Sequence, residues 1–386
     1  MNNWETIRLG DAARFINGYA FKPKDWKTEG LEIIRIQNLT KSNGLSNYYD
    51  GELDPRYKVI KGDFLISWSA TLGIFEWRGN DAWLNQHIFK VVFDKKEFDK
   101  SFFKHLIAMS LDAMGRETHG STMKHITKPR FDNFQIPYPP LAEQKQIAAI
   151  LDAADSLRQK DQQLVEHYTA LSQSLFLEMF GDPETNPMRW ECRTLNELVS
   201  KLGDGLHGTP TYSEEGEYYF INGNNLQNGV IQINSQTKKV SSEEFNKHKK
   251  ELNESTMLVS INGTIGKVAF YRGENIVLGK SACYFNVQET LINKIFLYRL
   301  IESPYFIKYA SGLATGSTIK NVSLKTMRNF PVPTPPKELQ NQFAERIAII
   351  EQQKQQAQAN LENSEALFNS LLQRAFTGEL TADRAA

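Results

Sequence analysis

The sequence predicts an α+β protein: two similar, mostly-β domains joined by two long antiparallel coiled-coil helices, with an internal pseudo-twofold repeat. Three observations predict it. A long uninterrupted segment occurs twice, 196 residues apart. Each copy opens on a proline run and closes on an aromatic residue followed by glycine or Thr-Gly. The stretches ahead of the two copies share one order of strand-like runs and polar turns.

The first copy leads in with Ile136-Pro137-Tyr138-Pro139-Pro140-Leu141-Ala142-Glu143-Gln144-Lys145-Gln146-Ile147 and ends at Phe180-Gly181. The second leads in with Val332-Pro333-Thr334-Pro335-Pro336-Lys337-Glu338-Leu339-Gln340-Asn341-Gln342-Phe343 and ends at Phe376-Thr377-Gly378. Pro137 aligns with Pro333, Gln144 with Gln340 and Phe180 with Phe376. Proline lacks an N–H and biases the preceding residue away from the helical region, so each run is extended and the helix starts after it. About 40 residues without Pro or Gly give a rod of roughly 60 Å at ~1.5 Å per residue. In the first rod, steps of four and three select Ile150, Ala154, Leu157, Asp161, Leu164, Tyr168, Leu171 and Leu175 as a heptad seam. In the second they select Ile347, Ile350, Lys354, Ala357, Leu361, Ser364, Phe368 and Leu371. Asp161 and Lys354 fit a seam poorly, which points to partner helices that complete a bundle. The plainer alternative is two amphipathic helices packed on ordinary cores.

A chain of 386 residues with 40% hydrophobic and 23% charged content implies two or three domains with real cores. The N-terminus has no basic, apolar signal pattern, and no run approaches the ~18 apolar residues of a membrane span. Cys192 and Cys283 have no metal-ligand spacing and fit a reducing, cytoplasmic setting. Net charge is zero but unevenly spread. Residues 1–140 carry 20 Lys/Arg against 17 Asp/Glu, and residues 189–336 carry 17 against 13. The rods are acidic, with 3 against 6 over residues 141–180 and 4 against 6 over 337–380. Nucleic acid is compatible with the domains and disfavoured on the rods.

The first domain spans residues 1–140 and its helix 141–181; the second spans 189–336 and its helix 337–378. Trp4–Phe15 reads as a strand and short helix, Ile33–Leu39 as a strand, and Phe64–Gly73 as a strand running into a small-residue loop. A further strand pair is expected at Gly73–Trp77 and His87–Phe93, and a helix at Phe102–Met114. The second domain repeats this with Trp190, Phe220–Leu226, Met257–Gly266 and a helix over Phe296–Ile307. Gly316–Val322 answers Gly120–Ile126. A unit near 190 residues is domain duplication rather than a solenoid.

Polar turns recur at matching places. Amides able to pair with adenine stand at Gln37 and Asn38 and again at Asn222, Asn224 and Asn225. Hydroxyls stand at Ser67, Ser69 and Thr71, answered by Ser260, Asn262 and Thr264. Ser121, Thr122 and Lys124 are answered by Ser317, Thr318 and Lys320, where lysine suits phosphate or guanine. Lys22, Lys24, Arg35, Asn85, Gln86 and His87 are further candidates in the first domain. His207, Thr209, Lys267, Lys280 and Ser281 are those of the second. Any one such loop is an ordinary solvated turn; the recurrence carries the argument. Gly203–Gly208 lacks the ending of a phosphate loop, the seven histidines show no metal spacing, and no nucleophile elbow exists.

Two variable domains, each closed by Pro-Pro-x-x-x-Gln-x-Gln and a long helix ending Phe-Gly or Phe-Thr-Gly, resemble the specificity subunit of type I restriction–modification enzymes. The resemblance rests on Pro139, Pro140, Gln144, Gln146, Ile147 and Phe180-Gly181, with Pro335, Pro336, Gln340, Gln342, Phe343 and Phe376-Thr377-Gly378 as counterparts. It covers nearly the whole chain; Lys337-Glu338-Leu339 in place of Leu141-Ala142-Glu143 is a minor departure. It implies two target-recognition domains, each reading half of a split site in double-stranded DNA, with the helices setting the gap. A lost or gained heptad would change that gap. It implies a non-catalytic chain that recruits two modification subunits and restriction subunits, with S-adenosylmethionine, ATP and Mg on those partners. On the helices it marks Gln144, Ile147, Ile150, Leu157, Leu164, Leu171 and Leu175, with Gln340, Phe343, Ile347, Ile350, Leu361, Phe368 and Leu371, as the coiled-coil and docking residues. A specificity subunit of a related type II system and a scaffold that bridges two proteins remain the alternatives.

Overall fold

A computed structural model describes residues 4–40, 46–116, 125–316 and 320–382. The chain forms two compact units. Unit 1 is Met1–Gln163 with Ala357–Ala386, and unit 2 is Leu164–Gln356. The long helices are therefore not domains of their own, since each contributes to both units.

In unit 1 the chain runs β1 (Glu5–Arg8), α1 (Leu9–Ala12), β2 (Arg14–Asn17), β3 (Leu31–Ile34), α2 (Ile36–Leu39), β4 (Asn47–Tyr49) and β5 (Lys58–Val59). It continues through β6 (Phe64–Ser67), β7 (Gly73–Glu76), β8 (Ala82–Leu84), β9 (Ile88–Val92), α3 (Lys100–Arg116), α4 (Lys128–Asn133), β10 (Gln135–Tyr138) and α5 (Leu141–Phe180). One sheet is antiparallel in the order β2-β9-β6-β7; a mixed sheet has the order β4-β3-β8-β5, with β3 and β8 parallel. β1 pairs with β10, an edge setting that tolerates Pro137 opposite Thr6. The strands at Gly73–Glu76 and Ile88–Val92 do not form the pair expected from sequence; each pairs with β6, on opposite sides. The run Ile33–Leu39 is not one strand. It turns helical at Ile36, where the Arg35 N–H donates to Asn38 Oδ1 at 2.9 Å.

Unit 2 takes the end of α5, then β11 (Cys192–Thr194), α6 (Leu195–Leu198), β12 (Val199–Asp204), β13 (Tyr218–Ile221), β14 (Leu226–Gln227), β15 (Val230–Ile231) and β16 (Lys239–Val240). It continues with α7 (Ser242–His248), β17 (Thr256–Ser260), β18 (Val268–Phe270), β19 (Ile276–Leu278) and β20 (Ala282–Val287). It closes with α8 (Lys294–Glu302), α9 (Pro304–Gly312), α10 (Leu324–Arg328), β21 (Pro331–Pro333) and the start of α11 (Lys337–Thr377). The antiparallel sheet β12-β20-β17-β18 repeats that of unit 1, β13 and β19 repeat the parallel pair, and β11 pairs with β21. The helix expected over Phe296–Ile307 is broken, because Pro304 cannot donate the hydrogen bond that would continue α8 and instead opens α9.

Each core lies between the antiparallel sheet and the helices. Phe89, Phe102, Phe103 and Phe131 fill unit 1, and Phe285, Phe296, Phe306 and Phe330 fill unit 2. Both long helices end on a glycine in the left-handed region, Gly181 at φ +76° and Gly378 at φ +79°. A second pair of glycines is required sterically. A Cβ at Gly18 would lie 2.1 Å from the Asn85 carbonyl oxygen, and one at Gly205 would lie 2.2 Å from that of Leu278. Gly205→Ala is expected to push these segments apart and destabilise unit 2 by about 1–3 kcal/mol, read by urea denaturation. An unchanged midpoint would show that the contact is soft.

Candidate nucleic-acid interface and helix faces

In unit 1 the loop after β6, the turn after β8 and the segment at His125 come together. Ser69 bridges His125, and the Ile126 N–H donates to the Trp68 carbonyl at 3.0 Å. The β8–β9 turn is pinned by Gln86 N–H on the Tyr19 carbonyl, 2.9 Å. In unit 2 the corresponding parts meet in the same way. Asn262 bridges Asn321, Gly263 N–H donates to the Lys320 carbonyl at 3.1 Å, and Lys280 N–H donates to the Leu206 carbonyl at 3.0 Å. Ser281 Oγ accepts from Gly223 N–H at 2.9 Å and donates to Asn222 Oδ1 at 3.1 Å. This gathers Ser69, Thr71, Gln86 and His87 in one unit, and Asn222, Asn262, Thr264, Lys280 and Lys320 in the other.

Several sequence candidates are used internally instead. Ser67 and Ser260 are fully buried. The Ser67 hydroxyl donates to the Ser69 carbonyl, and that of Ser260 donates to the Thr264 carbonyl at 2.6 Å while accepting from Lys267 N–H. They brace the loops rather than face a ligand. Asn38 spends its amide on Arg35 N–H and Glu32, and Asn225 spends its own on Asn222 N–H and the Gln232 carbonyl. A short polar side chain beside a turn closes onto nearby backbone. Exposed His207 is paired with Asp204 at 2.6 Å. Lys22, Lys24, Thr209 and Asn224 are exposed, while Gln37 and Lys267 are half-buried. Ser121, Thr122, Lys124, Ser317 and Thr318 lie outside the described residues. The structure adds Trp68 and His125, whose place the sequence hinted at through the 196-residue match of His125 with Asn321.

The buried Gln144 and Gln340 are corrected most clearly. Gln144 Oε1 accepts from Asp99 N–H at 2.9 Å, and its Nε2 donates to the Pro139 carbonyl at 2.9 Å. Gln340 does the same with Asn293 N–H and the Pro335 carbonyl, both at 2.7 Å. Asp99 and Asn293 in turn cap α3 and α8 with their side chains. Both glutamines tie a long helix to its own domain and are closed to a partner. Ile147, Phe343 and Ile347 are likewise buried in the cores, and Leu361 is buried. Ile350 and Leu175 pack against the core of unit 2, and Phe368 and Leu371 against that of unit 1. In each unit the start of one long helix meets the end of the other, so they run antiparallel: Leu151 shares a core with Ala375, and Phe343 contacts Phe180.

The α11 seam faces inward in the frame read from sequence. On α5 the inward face keeps Ala154, Asp161, Tyr168 and Leu175 of that frame, but its other edge is set one residue later, through Leu151, Asp155, Ser172 and Phe176. Ile147 anchors it in the core of unit 1 and Phe176 in that of unit 2. At ~100° per residue, Leu157, Leu164 and Leu171 then fall roughly a quarter to a third of a turn away. They are 46%, 39% and 48% exposed, with Ile150 half-buried in line above them. Near the α5 start, Ser101 and His105 hydrogen-bond Asp152 at 2.6 and 2.8 Å. Burial works to raise that carboxyl, but the hydrogen bonds outweigh it and hold it below the usual carboxylate range.

The described residues hold no helix long and apolar enough to cross a membrane. Matching polar loops on two mixed domains, each braced by the long helices, define a duplicated two-domain architecture. The chain belongs to the family of type I restriction modification DNA specificity domains, matched over residues 1–167 and 187–363. A role as the DNA sequence-specificity subunit of a type I restriction–modification system goes with that membership. It is 25% identical to the Type I restriction enzyme EcoBI specificity subunit of Escherichia coli, over 99% of this chain and 87% of that one. It is 24% identical to the MjaVIII specificity subunit of Methanocaldococcus jannaschii, over 90% and 86%. In fold it is similar to the S subunit from M. genitalium, with a TM-score of 0.54 at 16% identity, covering 97% and 96% of the two chains. A chain from a solved type I system assembly gives 0.55, also at 16% identity, over 98% of each chain.

Proposed function

We propose that each unit reads one half of a split DNA sequence, that the two long helices fix the unread gap, and that their outward faces dock two modification subunits. The observation that carries this reading is the common loop frame, which displays different side chains in the two units. One backbone solution thus presents two sets of readers, as a bipartite target requires. The chain itself supplies recognition and assembly. Methyl transfer from S-adenosylmethionine to adenine, and ATP- and Mg-dependent translocation and cleavage, belong to the modification and restriction subunits. Co-expression with neighbouring genes in a methylation-free host, followed by base-resolved methylation mapping, tests it. A split motif with a constant gap is the expected result; soluble complexes with no new methylation would refute it.

The outward leucines of α5 support the docking reading. Leu157, Leu164 and Leu171 recur every seven residues on a helix surface, the spacing that a partner helix fits. Changing all three to lysine is expected to weaken capture of a modification subunit at least tenfold and leave the fold intact, because surface positions contribute little stability. Co-purification and circular dichroism check both halves. Full capture by a folded triple variant would place docking elsewhere.

A further inference from the structure

We infer that Gln86 and Lys280 are the same reading position in the two units, with Gln86 selecting adenine in one half-site and Lys280 selecting guanine in the other. This deepens the proposed function and rests on it. The two residues are related by the parallel pairs β3–β8 and β13–β19, in which Ile34 meets Leu84 and Ile221 meets Leu278. Each stands two residues after that last strand position, in a tight turn leading into the next strand. Each donates its backbone N–H across to the preceding loop, Gln86 to Tyr19 and Lys280 to Leu206. Each turn is closed by the same bond, Ile88 N–H to Asn85 and Ala282 N–H to Gly279, at 3.1 and 3.0 Å. Glycines 18 and 205 let the backbones approach closely enough for this. The scaffold is therefore equal and the side chain is what differs.

The surroundings of Gln86 orient an amide. Gln86 Nε2 lies 3.3 Å from His87 Nε2. An amide nitrogen only donates, so the imidazole nitrogen accepts and its proton sits on Nδ1. One amide hydrogen and the amide oxygen remain, the donor and acceptor that pair with N7 and the N6 amino group of adenine. His87 is held in turn. Its ring meets that of Trp68 edge-to-face at 5.4 Å, Trp68 stacks on Phe89 at 5.7 Å, and His125 also meets Trp68 edge-to-face at 4.9 Å. Among the described residues, no such chain of rings stands beside Lys280 in unit 2. Ser281 follows Lys280 and is bonded back to Gly223 and Asn222, leaving an exposed ammonium with three donors for the O6 and N7 acceptors of guanine. Gln86 and Lys280 are thus specificity residues, and His87 and Trp68 are positioning residues that act through Gln86.

The test is methylation mapping of variants in the assembled complex with its modification subunits. Gln86→Ala is expected to relax one adenine position in one half-site by about tenfold to a hundredfold and leave the other half-site unchanged. Lys280→Ala is expected to relax one guanine position in the other half-site. His87→Ala loosens the same adenine as Gln86→Ala, and His87→Asn, which keeps an acceptor, restores part of the preference. Unchanged motifs would overturn the assignment. So would a loss uniform across all sequences with a shallower salt slope, the mark of a phosphate contact. A wild-type complex that lays down no split motif would instead sink the bipartite reading itself, a result visible before any variant is made.

Discussion

Phe343→Ala lowers the stability of unit 2 by about 3–5 kcal/mol, the usual cost of emptying a large buried aromatic site. Phe343 is fully buried at the start of α11. Its ring meets Phe180 at 5.1 Å and Phe176 at 5.6 Å, and both of those rings pack on Phe296 at 4.8 and 5.5 Å. Four aromatics therefore join the end of α5, the start of α11 and α8 within one unit. The rings come from three helices, so the cavity cannot close by moving one of them alone. Urea denaturation combined with hydrogen exchange checks it. The protection loss falls in residues 164–356 and spares the β strands of unit 1. A change under about 1 kcal/mol would mean that the cluster repacks.

Gln340→Leu costs unit 2 about 2–4 kcal/mol, although leucine fills a similar volume. The loss is polar. The Asn293 N–H and the Pro335 carbonyl lose their partner together, and each unsatisfied buried group costs about 1–3 kcal/mol. Gln144→Leu has the same effect on unit 1 through Asp99 and Pro139. Gln340→Glu separates the two bonds, since it keeps an acceptor for Asn293 but loses the donor to Pro335. At neutral pH the buried carboxylate also faces the Pro335 carbonyl oxygen, so its measured stability should fall at or below that of Gln340→Leu. If both variants match wild type, water replaces the amide and the tether is dispensable.

These glutamines show what was legible in the sequence and what was not. The repeat, the start of each long helix and its terminating glycine follow from proline and glycine chemistry, which acts locally. The spacing Pro-Pro-x-x-x-Gln was visible as well. Its purpose was not, because the side chain turns back to a carbonyl five residues earlier and to an amide some 45 residues away. On α5 half of the seam, from Ala154 to Leu175, lies inward, and only the set Leu157, Leu164 and Leu171 was misplaced, for a related reason. Periodicity favours the leucines, yet the rotation of the rod is fixed by Ile147 and Phe176, which answer to the cores. In the loops, residue type could not separate a bracing hydroxyl such as Ser260 from an exposed one such as Thr264. Trp68 and His125 were hidden because an aromatic residue gains meaning only from the rings that it meets.

The interleaved makeup of the units sets an order of events during synthesis. Unit 2 is one contiguous run, Leu164–Gln356, and all its core side chains have been made once that run is complete. Unit 1 is not, since Ala375 is fully buried in its core and Phe376 packs against it. The earlier-made part of unit 1 must wait, with an apolar face uncovered, until Ala375 and Phe376 have been made. The half made later is the half that can finish first.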